Sequence, residues 1–139
     1  MSSYGLEVLD RDVCRDLLRT QRVGRVGVCS GRAGVFPVLY AMLGEDVVYR
    51  TAPGEKLIAA ALRRDVVFEI DDFDVDARSG WSVMAYGTTD EIVHPDELAR
   101  ANALGLEPWA GEVRDRFVRI RIAELSGRRI RAAENAAAR

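Results

Sequence analysis

Two residues, Gly44-Glu45, are all that separate the apolar run VFPVLYAML (35–43) from DVVYRT (46–51). A link that short spans only a hairpin, because a parallel pair needs a crossover of a dozen or more residues. These two runs are therefore expected to pair antiparallel. Four further runs are rich in strand-forming residues, namely RVGRVGVCS (22–30), DVVFEID (65–71), GWSVMAYGTTDEIV (80–93) and RFVRIRI (116–122). A turn over residues 31–34 and an acidic surface loop, DDFDVDARSG, are expected between strands. The alternation of Arg with apolar residues in RFVRIRI predicts one wet face on that strand.

Three small helices interrupt the strands. Residues 9–21 carry Val13, Cys14, Leu17 and Leu18 at helical spacing behind Asp10 as N-cap, with Leu9 and Cys14 placed as a hydrophobic staple. EKLIAAALRR (55–64) has an acid in its first turn and Arg63-Arg64 in its last, which suits the helix dipole. Pro95 opens a third helix that Gly105 ends. About six strands with so few helices do not fit a doubly wound parallel sheet. The expected fold is mainly β, a mostly antiparallel barrel whose closure removes exposed edges.

With 139 residues, 48% of them hydrophobic, the chain is long enough for one core and too short for two ordinary domains. One domain is expected over residues 1–130, with the Ala-rich 131–139 as a flexible tail. A net charge of −2 argues against nucleic acid as the partner. No apolar run approaches the roughly 20 residues of a membrane helix. The first residues lack the pattern of a secretory signal, and Cys14 and Cys29 have no CxxC spacing, so a cytoplasmic protein is expected. His94, without a second ligand or a carboxylate, reads as a turn residue. Residues 71–76 lack the Gly and Glu of a calcium loop, so no metal site is expected.

Nineteen of the twenty basic residues are Arg, and the one lysine, Lys56, stands in YRTAPGEKL (49–57). There a strand ends in Arg50-Thr51, the chain turns through Pro53-Gly54, and a helix begins. Free backbone N–H groups, a helix dipole, a hydroxyl and cations would meet in one small volume, which is a phosphate site in outline. Lysine adds a compact charge free of the planar geometry a guanidinium asks for.

The order VGRVGV, FPVLY, VVYRTAPGEKL, VVFEIDDFD, GWSVMAYGTTDEI, PWAG and RFVRIRI resembles the pyridoxamine 5'-phosphate oxidase-like family of flavin-binding split barrels, from about Leu9 to Ile130. The resemblance implies a split β-barrel that binds flavin mononucleotide (FMN) as a homodimer, with cofactor at the subunit interface. Carried over by position, it puts Arg50, Thr51 and Lys56 near the phosphate, with Tyr49 and Leu57 among the cofactor-binding residues, and the strand backbone at Pro37, Val38 and Tyr40 beside the ring system. Trp81, Ser82 and Val83 approach the same pocket, and Trp109 closes it from the partner chain. Phe36 and Leu39 stand where close relatives carry Arg and Asn. The Arg-x-His element of the vitamin oxidases is missing, so oxidation of pyridoxamine phosphate is not expected.

The chain is thus expected to be an FMN-dependent oxidoreductase that reduces a small organic acceptor, with NAD(P)H as a candidate donor. No side chain is assigned as catalyst, because the flavin carries the redox chemistry and the protein supplies position and water exclusion. Two alternatives remain: a deazaflavin-dependent reductase, with Arg22, Arg25, Arg114 and Arg116 as a basic groove, and a non-catalytic flavin- or haem-binding module.

Overall fold

The computed structural model describes residues 5–51, 64–107 and 116–132. In chain order they form β1 (Leu6–Leu9), α1 (Arg11–Leu18), β2 (Val23–Ser30), β3 (Arg32–Leu43), β4 (Asp46–Thr51), β5 (Asp65–Asp74), β6 (Ser79–Ile92), α2 (Pro95–Asn102) and β7 (Arg116–Ile130). The two-residue link does make a hairpin: Gly44, at φ 61°, turns β3 into β4, with Leu43 opposite Asp46 and Tyr40 opposite Tyr49. A positive φ of that size costs glycine little and other residues much. The strands follow the order β7-β4-β3-β2-β5-β6, and β6 pairs again with β7, so six antiparallel strands close a barrel as expected. β1 adds a seventh strand on the far end of β7, with Leu6 opposite Ile130.

Three expectations about the strands need correction. Only Gly31 separates β2 from β3, with Ser30 opposite Arg32, so the turn is shorter than residues 31–34. The acidic segment is not all loop: residues 71–74 extend β5, with Asp71 opposite Ser82 and Asp74 opposite Ser79, leaving only residues 75–78 as the turn. Aspartate is a poor strand former, but pairing with β6 and access to solvent override that preference. The last strand also runs on to Ile130, well beyond RFVRIRI.

The expected wet face of that strand is corrected as well, since Phe117, Val118, Arg119 and Ile120 are all buried. Val118 and Ile120 face the barrel interior, while Phe117 and Arg119 face outward beneath α2. Farther along, the β6 pairing slips between Tyr86 and Gly87, so that Tyr86 meets Glu124 and Gly87 meets Ile122. One extra residue of β7 is left over, a β-bulge that exchanges the inward and outward sets.

Inside the barrel Val26, Tyr40, Tyr49, Phe68, Ile70 and Val83 are fully or almost fully buried. Burying a side chain such as Phe68 contributes about 1.5–3 kcal/mol. Its ring crosses Tyr40 edge-on at 4.8 Å and lies over Gly24, where a Cβ would come within 2.2 Å of the ring. Helix α1 plugs one end of the barrel with Cys14 and Leu18. Its Asp10 cap accepts a hydrogen bond from the Val13 N–H at 2.9 Å, and the Tyr40 hydroxyl donates to the Leu18 carbonyl at 2.6 Å, satisfying one of the carbonyls the helix end leaves open.

A second, smaller cluster lies outside the barrel wall, where α2 covers Val48, Ile92 and Phe117 with Leu98 and Ala101. Pro95 stands at the start of α2, and His94 is its N-cap, its Nδ1 accepting from the Asp96 N–H at 3.4 Å. The helix expected over residues 55–64 lies almost wholly outside the described residues, as does most of the Ala-rich tail. No described helix is long and apolar enough to cross a membrane.

Candidate functional site

Strand alternation decides which of the expected site residues can meet a ligand from outside the barrel. Val38, Tyr40 and Tyr49 on β3 and β4 pack into the interior, as do Trp81 and Val83 on β6. The Tyr40, Tyr49 and Val83 side chains are closed off there, while Trp81 also lines a surface pocket with Arg129 and Arg131. Pro37 faces outward and is exposed, and Ser82 is half-buried on the outward rung that it shares with Asp71. Arg50 and Thr51 were expected to converge, but as neighbours on β4 they point to opposite sides. Thr51 is buried, whereas Arg50 reaches the outer cluster, donating from Nη1 to the Leu106 carbonyl at 2.8 Å with its guanidinium 5.3 Å above the Phe117 ring. Lys56, Leu57 and Trp109 lie outside the described residues.

Register separates the described site residues into two groups. Arg50 lies opposite Phe117 and Thr51 opposite Arg116, at the beginning of β7. Trp81, Ser82 and Val83 lie opposite Arg129, Arg128 and Gly127, near its end. Ten or more residues of extended strand span roughly 30 Å before curvature. The two groups lie beside opposite ends of β7.

Beside the first group is a cavity of about 340 Å³, within the range of small-molecule sites. Its floor is β3 from Leu39 to Met42. One wall is the end of α1 with Arg19 and Arg22, and the other is the segment from Leu104 to Glu107 that follows α2. Leu106 links the cavity to Arg50, since its side chain belongs to the outer cluster and its carbonyl holds the guanidinium. Arg19 Nη2 donates to the Gly44 carbonyl at 2.9 Å, which fixes it across the β3–β4 turn, and the Arg22 carbonyl accepts from the Tyr40 N–H at 2.9 Å. An apolar floor with cations at its lip suits a flat, partly apolar anion.

Arg19, Leu104 and Leu106 are site residues that sequence reasoning missed. They come from segments distant along the chain, and no motif joins them. Leu39, which was noted only as a departure from relatives, turns out to face the cavity.

Of the other basic residues proposed for a groove with Arg22, two contact carboxylates. Arg25 lies on the outward side of β2, with Nη1 3.6 Å from Glu69 and 3.7 Å from Asp71. Arg116 Nε donates to Glu91 at 2.8 Å, and hydrogen bonds from Arg116 hold the Glu91 carboxyl below the usual range. Arg114 lies outside the described residues. Burial pushes the Tyr40 and Tyr49 phenols up and leaves both neutral at physiological pH. The Tyr49 hydroxyl has no hydrogen-bond partner among the described residues. Among the described residues no group of three His, Cys, Asp or Glu is placed to hold a metal ion.

Comparison with known proteins gives a consistent picture. A sequence profile of the family described as pyridoxamine 5'-phosphate oxidase matches residues 10–129. An uncharacterised protein of Mycobacterium tuberculosis is 33% identical over 129 residues, covering 88% of this chain and 84% of that one. The structure of a protein from Mycobacterium smegmatis described as FAD-binding superposes with a TM-score of 0.78 at 33% identity, covering 89% of this chain and 98% of its own. A crystal structure from Corynebacterium glutamicum, described as a candidate pyridoxamine 5'-phosphate oxidase, gives 0.79 at 29% identity, covering 94% and 97%.

Proposed function

For a chain that belongs to the pyridoxamine 5'-phosphate oxidase family, we propose a flavin-binding oxidoreductase that holds FMN at the interface of a homodimer and reduces a small organic acceptor. The observation that carries this proposal is the cavity over β3, with its apolar floor and its arginines at the lip. Its donor set fits a flavin, since a planar ring system needs apolar walls and a phosphate tail needs cations. The β3 backbone from Leu39 to Met42 would lie along the ring, and Arg50, Arg19 and Arg22 would face the anionic end, with Lys56 from the adjoining segment. The 33% identical Mycobacterium smegmatis protein is described as FAD-binding, which favours a flavin over other ligands of that shape.

The separation of the expected site residues supports the dimer. Arg50 and Trp81–Val83 sit at different ends of β7. A second copy brings the two groups to one ligand without bending the barrel. Isologous pairing of that kind yields two equivalent sites per dimer.

When bound, the flavin supplies hydride or single-electron transfer. The chain's own part is placement and shielding. Leu39, Leu104 and Leu106 keep water from the floor and wall of the cavity, and the arginines neutralise the tail. With Arg25 and Arg116 engaged by carboxylates elsewhere, the long acidic tail of a deazaflavin has less to bind. The test is the absorption spectrum of the protein as purified, followed by titration with FMN and with FAD. Flavin bands, or quenching of added flavin, with FMN binding tighter than FAD, is the expected result. A colourless protein that leaves the fluorescence of both flavins unchanged would end the proposal.

A further inference from the structure

Where β5, β6, β7 and β1 lie side by side, Ile70, Val83, Gly127 and Leu9 share one buried rung. Two residues farther along, on the same side of the sheet, the rungs turn polar. Asp72 lies opposite Trp81, and Trp81 opposite Arg129. On the next such rung Asp74 lies opposite Ser79, with Arg131 just past Ile130 on the neighbouring strand. The result is a ledge of three rows: carboxylates on β5, Trp81 and Ser79 on β6, and guanidinium groups at the end of β7. Neighbouring strands stand about 4.8 Å apart, which puts the two charged rows roughly 10 Å from each other. All six residues line one cavity of about 390 Å³, and none of them lines the cavity over β3.

Charge on this ledge is divided and not cancelled. Arg129 Nη1 and Arg131 Nη2 share a single oxygen of Glu7, at 3.7 and 3.5 Å, which leaves one positive charge in excess on that side. Across the ledge Asp74 Oδ1 accepts from the Ala77 N–H at 3.0 Å, and Asp72 is exposed. Among the described residues no ion pair joins the two rows. The half-buried Trp81 stands between them.

We propose that this ledge binds a purine nucleotide that carries an exocyclic amine, with the base against Trp81, the amine on Asp72 and the phosphate on Arg129 and Arg131. Each row answers to one part of that ligand. Aromatic side chains stack bases, a carboxylate accepts from an amine, and guanidinium forks match phosphate oxygens. A simple anion would leave Trp81 idle and meet repulsion from the aspartates, and a plain aromatic would use neither charged row. Two sources supply the unit: a free nucleotide such as AMP, and the adenylate half of a nicotinamide dinucleotide. The site goes beyond the flavin reading and does not need it. Where the dimer of the preceding proposal brings Trp81 toward a flavin, the ledge holds its nucleotide beside that flavin.

Isothermal titration calorimetry of the full chain with AMP, adenosine, ribose 5-phosphate and NADH reads the site. Adenosine lacks the phosphate and ribose 5-phosphate lacks the base, so each is expected to bind roughly tenfold or more weakly than AMP. Trp81→Ala is expected to weaken AMP by about tenfold. Arg131→Ala removes a side chain that is 64% exposed, so it tests the site should the first variant not fold. It is expected to weaken AMP by about tenfold and leave adenosine unchanged. Asp72→Asn is expected to weaken AMP and not ribose 5-phosphate. NADH that matches AMP and loses affinity in the same variants supports the site as the seat of a dinucleotide, and much weaker NADH supports it as the seat of a free nucleotide. No binding at millimolar AMP, equal affinity for AMP and adenosine, or AMP binding that survives both Trp81→Ala and Arg131→Ala would overturn the inference. So would competitive displacement of AMP by FMN, since the ledge would then be part of the flavin's own site. AMP binding by a chain that ignores both flavins sinks the flavin reading alone, and flavin binding by a chain that ignores AMP sinks this one alone.

Discussion

The barrel has two outward faces built of the same kind of strand, and the chain treats them differently. Over β4 and the start of β7 the outer residues Val48 and Phe117 are covered by α2, and Arg119 beneath them is only 6% exposed. Over β2, β3, β5 and β6 nothing among the described residues covers Val35, Met84 and Tyr86. Each face has an arginine among carboxylates. Arg119 Nε donates to Asp90 at 3.1 Å, its Nη1 donates to Glu97 of α2, and Asp46 lies 4.0 Å away. Arg25 keeps a looser hold on Glu69 and Asp71. The covered face has found its partner within the chain, and its ion cluster ties that partner down. The bare face keeps its cluster open to solvent.

Removing each arginine tests the contrast most directly. Arg119→Ala leaves the partly exposed Asp46, Asp90 and Glu97 without the cation that offsets them, and the cost should exceed the about 1 kcal/mol of an exposed ion pair. Urea unfolding is expected to show that loss. Because Glu97 is the link from β7 to α2, and α2 leads into the wall where Leu106 holds Arg50, any flavin affinity should weaken too. A loss below about 1 kcal/mol would put the covered cluster on the same footing as an exposed ion pair.

The same contrast predicts opposite pH limits. On the covered face Glu97 is held below its ordinary 4.5 by its hydrogen bond from Arg119. Its contribution is present above that ordinary value and is lost as pH falls through the lower folded one. On the bare face Glu69 titrates at about 7 when folded, against 4.5 ordinarily. Between those values the folded chain holds a proton that the unfolded chain has released, so stability declines as pH rises from about 4.5 to about 7. Urea midpoints collected at one protein concentration across this range should fall for the wild type and stay level for Glu69→Gln. A wild-type midpoint that climbs over the same interval would break the contrast.

Sequence patterns carried the local parts of this architecture. The β3–β4 hairpin was legible in Gly44-Glu45, α1 in the Asp10 cap and α2 in Pro95, because each signal and its effect lie within a few residues. Features set by distant pairing were hidden. β1 has no periodicity of its own, with Val8 79% exposed, and exists by pairing with the end of β7. Arg119 looks solvated in RFVRIRI because the helix that covers it lies some twenty residues earlier. Around the site, strand alternation could be read but not which face a ligand would use. Tyr40 and Tyr49 turn their side chains inward, whereas Arg50 reaches the outer surface. The cavity wall of Arg19, Leu104 and Leu106 could not be anticipated without the fold that joins them.

The smallest effect is expected at Arg25, and its smallness is informative. The side chain is 44% exposed and more than 3.5 Å from either carboxylate, so Arg25→Gln should cost no more than about 1 kcal/mol in the single chain. What it should change is the titration of Glu69. Arg25 provides the one pull toward the ionised form, working against burial and Asp71. Without it the midpoint must move up, and NMR of the glutamate side-chain carboxyl carbon would follow it. An upward shift with little loss of stability is the behaviour of a loosely held, solvent-open cluster. A large loss of stability, or a midpoint that falls, would mean that Arg25 holds the sheet together much as Arg119 does, and the difference between the two faces would disappear.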